Sequence, residues 1–427
     1  MRRPHSIPDR RSAPLAAVVA VAALLAAACG GSPAAGAWPA YRGDLARDGH
    51  PPGATLDAAA AARLGTAWSV RTGASIDGSP AVTDGLVFAA TEAGRLAAYD
   101  AASGGGRWSA DGLGAIDGSP TVAAGRVVVA TLSGRVTALD ERTGRVEWTW
   151  RAPGGQPALW SSPAVAAGRV LVGVASQYGD APLEAGRLVA LDLAGGRELW
   201  DDCVRPACAP GGGIWSTAAV DGHGRAFVGV GNPDDSVLAV DAATGVRLWE
   251  TSLYADEDRD LDVGATPALV QVGGRERVAA ASNGGVLALL DAASGAVTWS
   301  RPLVRGSAVH GLVASPAADG RRLYAGSASP PTGVFALSPD TGATLWERPT
   351  REAVYSSPAV GRDVLVVGTG NVFGDTSTGE VVALATASGR VVWSQDVGSP
   401  VWSSPALAGD AVYVGDHAGV LRCLRPR

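Results

Sequence analysis

Tryptophan recurs along this chain at intervals that only a repeated structural unit explains. It stands at positions 68, 108, 148, 200, 249, 299, 346 and 393, with spacings of 40, 40, 52, 49, 50, 47 and 47 residues. A glycine precedes seven of these eight by four places, as in "ERTGRVEW", "DAATGVRLW" and "DAASGAVTW". A second marker keeps step with the first. Ser-Pro ends at Pro80, Pro120, Pro163, Pro316, Pro358 and Pro405, Thr-Pro ends at Pro267, and the degenerate "WSTAA" places Ala218 where a proline would fall. Two markers with eight copies each define a repeat, and a repeat of this length is one supersecondary unit that needs neighbours to bury its faces.

Each unit reads as four short strands. In one copy they are "GSPTV", "GRVVVAT", "GRVTALD" and "GRVEW", rich in β-branched residues and separated by glycine-containing turns. Four-stranded units of this length, repeated many times, predict blades of a β-propeller. Each blade is wedged between two others, and the flat tryptophan ring can bury ~150–250 Å² against the next blade. The last unit, "VWSSPALAGDAVYVGDHAGVLRCL", stops before any tryptophan strand. Conversely "RLGTAWSV", near the start, has that strand with no Ser-Pro before it. The expectation is an all-β fold, an eight-bladed β-propeller of four-stranded blades whose last blade is closed by the N-terminal strand, leaving no open sheet edge. Stacking as a solenoid is the alternative, but it does not require a split repeat.

The first residues read differently. Arg2, Arg3, Arg10 and Arg11 precede the apolar run "LAAVVAVAALLAAA", which ends at Cys29. Fourteen residues, Leu15 to Ala28, are short for a membrane span and suited to a signal peptide. The sequence "LLAAACGGS" resembles a bacterial lipobox, so residues 1–28 are expected to be a lipoprotein signal peptide and Cys29 the lipidated residue. Residues 29–37 would be a flexible tether and 38–427 one propeller, extracytoplasmic and lipid-anchored to the bacterial cell membrane. Ordinary secretion is the alternative. Without the first 28 residues the chain has 31 basic and 40 acidic residues, a net charge of −9. That excludes nucleic acid and anionic lipid headgroups as partners, so membrane contact would be through the anchor alone. Every basic residue is arginine, so there is no lysine for Schiff-base chemistry.

In such a blade, the turns between strands one and two and between three and four lie on one face, where they are short ("TDG", "AAG", "ATG", "ASG"). The other face holds the long stretches at 175–186, 201–213, 231–235, 251–262 and 370–380. Function is expected on that elaborated face.

The "GxvxALDaxTGxxxW" units resemble the pyrroloquinoline quinone (PQQ) repeats of the quinoprotein alcohol dehydrogenase superfamily. "GGGIWSTAAVD", "VGVGNP", "DEDRDLDVGATPAL" and "SAVHGLVASPAADGRRLYAG" are most similar to its polyvinyl-alcohol dehydrogenase-like branch. The resemblance implies that Trp215 forms the floor beneath a quinone and that Asn232 helps hold Ca²⁺ with oxygen ligands. It implies Asp260 as the catalytic base with Asp262 next, and Glu184 as a stand-in for the Ca²⁺-binding glutamate, although its spacing to the next glycine departs from the pattern. Each has a plainer reading: Asn-Pro makes turns, tryptophan packs cores, and the run Asp256, Glu257, Asp258, Asp260 and Asp262 is a solvated acidic loop. His310 matches a histidine of that branch with no role assigned.

Three departures count against chemistry. No adjacent cysteine pair covers the quinone; Cys203 and Cys208, with four residues between them, read instead as a loop disulfide, with Cys423 left over. Asn283 occupies the place where relatives carry a lysine or arginine toward the quinone. No C-x-x-C-H haem site is present. The sequence alone therefore favours a tethered, monomeric binding or scaffold propeller acting through its long-loop face, toward a protein partner or a small-molecule alcohol. The alternative is a PQQ- and Ca²⁺-dependent alcohol dehydrogenase. A carbohydrate or peptide binder is the third reading, and no G-x-S-x-G nucleophile elbow exists.

Overall fold

The computed structural model describes residues 36–180, 182–254, 260–374 and 377–427. Their strands form eight antiparallel sheets of four strands each, as the repeat predicts. In chain order blade 1 spans residues 81–110, blade 2 121–151, blade 3 164–203, blade 4 219–252, blade 5 268–302, blade 6 317–349 and blade 7 359–396. Blade 8 takes three strands from 406–426 and its outermost from Leu64–Arg71, which pairs antiparallel with Val420–Pro426. The N-terminal strand therefore closes the ring.

Middle strands are wedged between neighbouring blades, so both of their faces are buried. Arg169–Val174 and Arg187–Asp192 are buried along all but their ends, and valine, leucine and alanine fill them. The outer strand Arg247–Ser252 instead alternates between half-buried and exposed, because one side meets solvent. A one-residue bulge directly precedes every marker tryptophan: Ala138 faces Trp148 while Leu139 faces Val146, and the same shift occurs in the other seven blades. The bulge turns the outer strand and re-aims the ring.

That ring docks on the next blade. Seven indole Nε1–H groups donate to a carbonyl of the following blade at 2.8–3.3 Å, for example Trp249 to Ala292 and Trp299 to Pro339. The glycine four residues before the next tryptophan lies under the ring. On Gly245 (φ +75°) a Cβ would stand 2.8 Å from Trp200 Cδ2. Two demands, a left-handed backbone and no side chain, make glycine the residue of this marker. Trp393 faces blade 8, whose third and fourth strands come from opposite ends of the chain, so no such turn lies beneath it.

The Ser-Pro marker has its own partner. Ser79 N–H donates to Ser119 Oγ, Ser119 N–H to Ser162 Oγ, and the series continues through Thr217, Thr266, Ser315 and Ser357 to Ser404 Oγ, at 2.8–3.0 Å throughout. These seven bonds form a belt around the axis, one at each of seven of the eight blade junctions. It is broken where the chain ends meet, between Ser404 and Ser79, and Ser79 Oγ is buried without a partner among the described residues.

Residues 38–49 run along the inner strands and stop the channel. Trp38, fully buried, exchanges backbone hydrogen bonds with Val82, and Pro39, Leu45, Ala46, Asp48 and Gly49 accept from the inner strands of blades 2, 4, 5, 6 and 7. The Arg42 guanidinium donates to Pro316 O at 2.9 Å and also to Pro358 O, while Arg47 reaches Ala218 O at 3.1 Å. Tyr41 Oη lies within hydrogen-bond distance of Ser315 and Ser357 in the belt. The axis is therefore a cup with a floor rather than a pore.

Candidate functional site

The cup opens on the long-loop face and holds a cavity of about 410 Å³ floored by Tyr41. One position of the repeat builds its wall: the residue three places before each marker proline. Around the ring these are Asp77, Asp117, Trp160, Trp215, Gly264, Val313, Tyr355 and Trp402, and all eight line the cavity. The belt beneath pins the backbone of each blade entry, so a side chain at this position faces the axis whatever its chemistry.

Trp215, between blades 3 and 4, packs its indole against Gly264, where a Cβ would overlap the ring. Its Nε1–H donates to Asp262 Oδ2 at 2.6 Å. Asp262 Oδ1 accepts from the backbone N–H of Asn232 at 2.8 Å, and Asn232 Nδ2 donates to Asp260 Oδ1 at 2.5 Å. The Asp262 carbonyl in turn accepts from Asn283 N at 3.0 Å. Asn283 is buried, donates through Nδ2 to Ala308 O at 2.8 Å, and leaves Oδ1 without a partner among the described residues. Five residues singled out from sequence, spread over the loops of blades 3 to 5, thus meet at one side of the cavity.

Burial raises the Asp262 carboxyl to about 6, with Asp260 and Asp180 adding repulsion and the bonds from Asn232 and Trp215 opposing it. Asp180, which the sequence did not point to, is the acid of the 175–186 loop that lines the cavity. Glu184 is not brought there. Its carboxylate accepts the amides of Gly155 at 3.2 Å and Gln156 at 2.5 Å and holds the 153–156 turn. The spacing irregularity before Gly186 was the signal: it moves Glu184 away from the cavity-facing register. His310 lies beside Tyr355 and Phe373, with ring centroids 6.3 Å from each. Cys203 and Cys208 are bonded to each other, and Cys423 is a buried free thiol. Cys29, the leader, and Asp256, Glu257 and Asp258 lie outside the described residues. No helix among the described residues is long and apolar enough to cross a membrane.

Oxygen donors suited to a hard cation therefore stand beside a flat indole. The cavity is also one-sided in charge: its described lining holds five aspartates and no arginine, lysine or histidine.

Fold and site together define an eight-bladed propeller with a cupped, acid-lined cavity on its axis. A family model, PQQ_2, described as outer membrane protein assembly factor BamB, matches residues 54–222, 209–330 and 331–425. The chain belongs to this family of PQQ-like β-propeller repeats. Polyvinylalcohol dehydrogenase of Sphingopyxis sp. (strain 113P3) is 31% identical over 215 residues, covering 38% of this chain and 33% of that protein. The match thus spans only a third of that relative's length. Among solved structures, the quinohemoprotein alcohol dehydrogenase of Comamonas testosteroni aligns with a TM-score of 0.79 at 17% identity, over 92% of this chain and 81% of that one. BamB from Moraxella catarrhalis aligns with a TM-score of 0.66 at 20% identity, over 85% and 99%. At these identities the structural likeness defines the fold.

Proposed function

We propose that the protein is a quinoprotein-type alcohol dehydrogenase that binds PQQ and a divalent cation in the axial cup. The observation that carries this reading is the Trp215–Asp262–Asn232–Asp260 constellation, together with a named dehydrogenase among the relatives. The residues fit the groups in kind. Trp215 supplies a flat face, and the Asn232 side chain, turned by its Nδ2 toward Asp260, leaves its amide oxygen for a hard cation alongside Asp260 and Asp180. Asn283 Oδ1 adds a buried acceptor without a partner among the described residues. With no cationic side chain in the described lining, the cation and the Ser/Thr hydroxyls would have to meet the carboxylates of the quinone. Bound PQQ would supply the two-electron acceptor that oxidation of an alcohol requires.

Asp262 has the properties of a base. Two hydrogen bonds fix its carboxylate, and burial holds it near 6, so it is ionised at neutral pH yet still basic enough to take a hydroxyl proton. Trp215 orients it and lowers its basicity, Asn232 orients it from the other oxygen, and Asp260 tunes it by repulsion. This inverts the order of the two aspartates drawn from sequence, because Asp260 is exposed and bonded to Asn232.

Calorimetric titration of PQQ, with and without Ca²⁺, is the test. The reading expects Ca²⁺-dependent binding that Asn232→Ala abolishes, and turnover of alcohols with an artificial electron acceptor that Asp262→Asn abolishes while binding remains. Absence of binding at roughly tens of micromolar PQQ would sink it. The second reading, a tethered binding module, is favoured by the absence of cationic side chains from the described lining. The same outcome would promote it.

A further inference from the structure

The cavity wall has a second pole that the proposed chemistry leaves unused. Asp77 and Asp117 occupy adjacent places in the eight-residue ring, at the entries to blades 1 and 2, and the Asp262 loop enters blade 5 on the far side of the axis. Trp402 precedes this acidic pair in the ring and Trp160 follows it, so a tryptophan stands on either side. Tyr355 and Phe373 extend the Trp402 side, with ring centroids 5.2 and 5.8 Å from it. Glu92 joins the pair from within blade 1, and carboxylate oxygens of Asp77, Glu92 and Asp117 all lie within 4.8 Å of one another.

Three carboxylates so close repel one another, and that repulsion is relieved either by retained protons or by a bound cation. The facing protein groups answer Asp77 first. His417 Nδ1 is 3.5 Å from its Oδ1 and has its own pKa raised chiefly by that contact, Ser75 Oγ donates to the same oxygen at 2.7 Å, and Asp416 is taken up by Arg422. Burial and that repulsion hold Asp117 up at about 8 and Glu92 at about 7. Independent of the acids, the break in the hydroxyl belt leaves buried Ser79 Oγ two residues from Asp77 without a partner among the described residues, and Asn283 Oδ1 is a second such buried acceptor across the cavity. Carboxylates, an orphan hydroxyl and tryptophan faces, with no competing cation in the described lining, form a receptor for an organic cation: charge meets the aspartates and its polarised C–H or N–H groups meet the indoles.

We infer that the ligand of this cup is an alcohol carrying an ammonium group, whose cationic end sits between Trp160 and Trp402 against Asp77 and Asp117. The hydroxyl end rests on the dehydrogenase reading; the ammonium end does not. A neutral alcohol of the same shape would leave the acidic pair to keep its proton, whereas an ammonium group favours the ionised pair and gains the ion-pair attraction.

The test is calorimetry on the full chain without PQQ, using two ammonium alcohols, choline and aminobutanol, against their neutral counterparts, the tert-butyl analogue of choline and pentanol. At least one ammonium alcohol should bind about tenfold or more tightly than its neutral counterpart. The Asp77→Asn, Asp117→Asn double variant, shown to be folded by its circular dichroism, should bring the pair to near parity. Equal affinity for charged and neutral partners in the parent chain would overturn the inference, as would a preference that survives in the double variant. Because PQQ is absent, failure here leaves the quinone reading standing. Ammonium binding by a chain that ignores PQQ would support the inference while that reading fails.

Discussion

Trp215 Nε1 stands 2.6 Å from Asp262 Oδ2 and donates to it, which ties the wall of the cup to a buried carboxylate. An indole that both packs on Gly264 and holds a base has two roles that substitution can separate. Trp215→Phe keeps a flat ring and removes the donor. Losing a hydrogen bond to a charged acceptor costs about 1.5–3 kcal/mol, so the Asp262 pKa should climb by about one unit or more above its present value. Carboxyl carbon NMR against pH reads this directly; an unchanged titration would mean the bond is not made in solution.

Asp262 also dictates a response to metal. Its folded value of about 6 lies above the ordinary 3.8, and a divalent cation bound through Asp260 and Asn232 favours the ionised form. Titration in the presence of Ca²⁺ should therefore show Asp262 ionising at lower pH than in chelator, and any alcohol oxidation should gain activity through that lowered value.

Stability should fall as the solution becomes more alkaline. Asp262, Glu92 and Asp117 have folded values of about 6, 7 and 8, each above its ordinary value of 3.8 or 4.5. Between those ordinary values and the folded ones the native state holds protons that the unfolded chain has released, so stability is greatest below the window and is lost as pH rises through it. Thermal melts at pH values from about 5 to 9 should show Tm declining, and Asp117→Asn should flatten the upper part of that decline.

The tryptophan dock makes two changes comparable. Trp249→Ala removes the ring and its bond to Ala292 O, and should cost about 3 kcal/mol or more. Gly295→Ala leaves the ring in place but forces a Cβ to 2.6 Å from Trp249 Cδ2 at φ +72°. Left-handed backbone alone costs about 1–2 kcal/mol, and the overlap adds to it. Urea unfolding of both variants, and of the pair, should give strongly non-additive losses, since each destroys the same contact.

Arg42 is fully buried and satisfies the carbonyls of Pro316 and Pro358 from the plug. Arg42→Met fills much of the same volume but strands both acceptors, at about 1–3 kcal/mol each. Protease cleavage near residues 38–49 should rise in the variant, because the plug would then detach more often than the blades unfold.

Blade number, strand order and the seam are legible in the sequence by itself, because they rest on local chemistry repeated eight times. A glycine that must be left-handed beneath an indole, and a hydroxyl that accepts the amide of the preceding blade, recur at fixed offsets and mark each unit. Trp215, Asn232 and Asp262 are legible too, because they sit in unusual strings on the long-loop face. Tertiary structure decided what those strings face. Asp180 rather than Glu184 lines the cavity, since Glu184 turns to the amides of Gly155 and Gln156, and loop direction does not follow from spacing once a loop departs from the repeat. It also decided that Asp77, Asp117, Trp160 and Trp402, separated by 40 to 325 positions, share one wall. Each of them is an ordinary residue ahead of a Ser-Pro step when read along the chain. Only closure of the ring converts eight equivalent positions into eight neighbours around an axis, and only then does the sum of their charges become the property of a site.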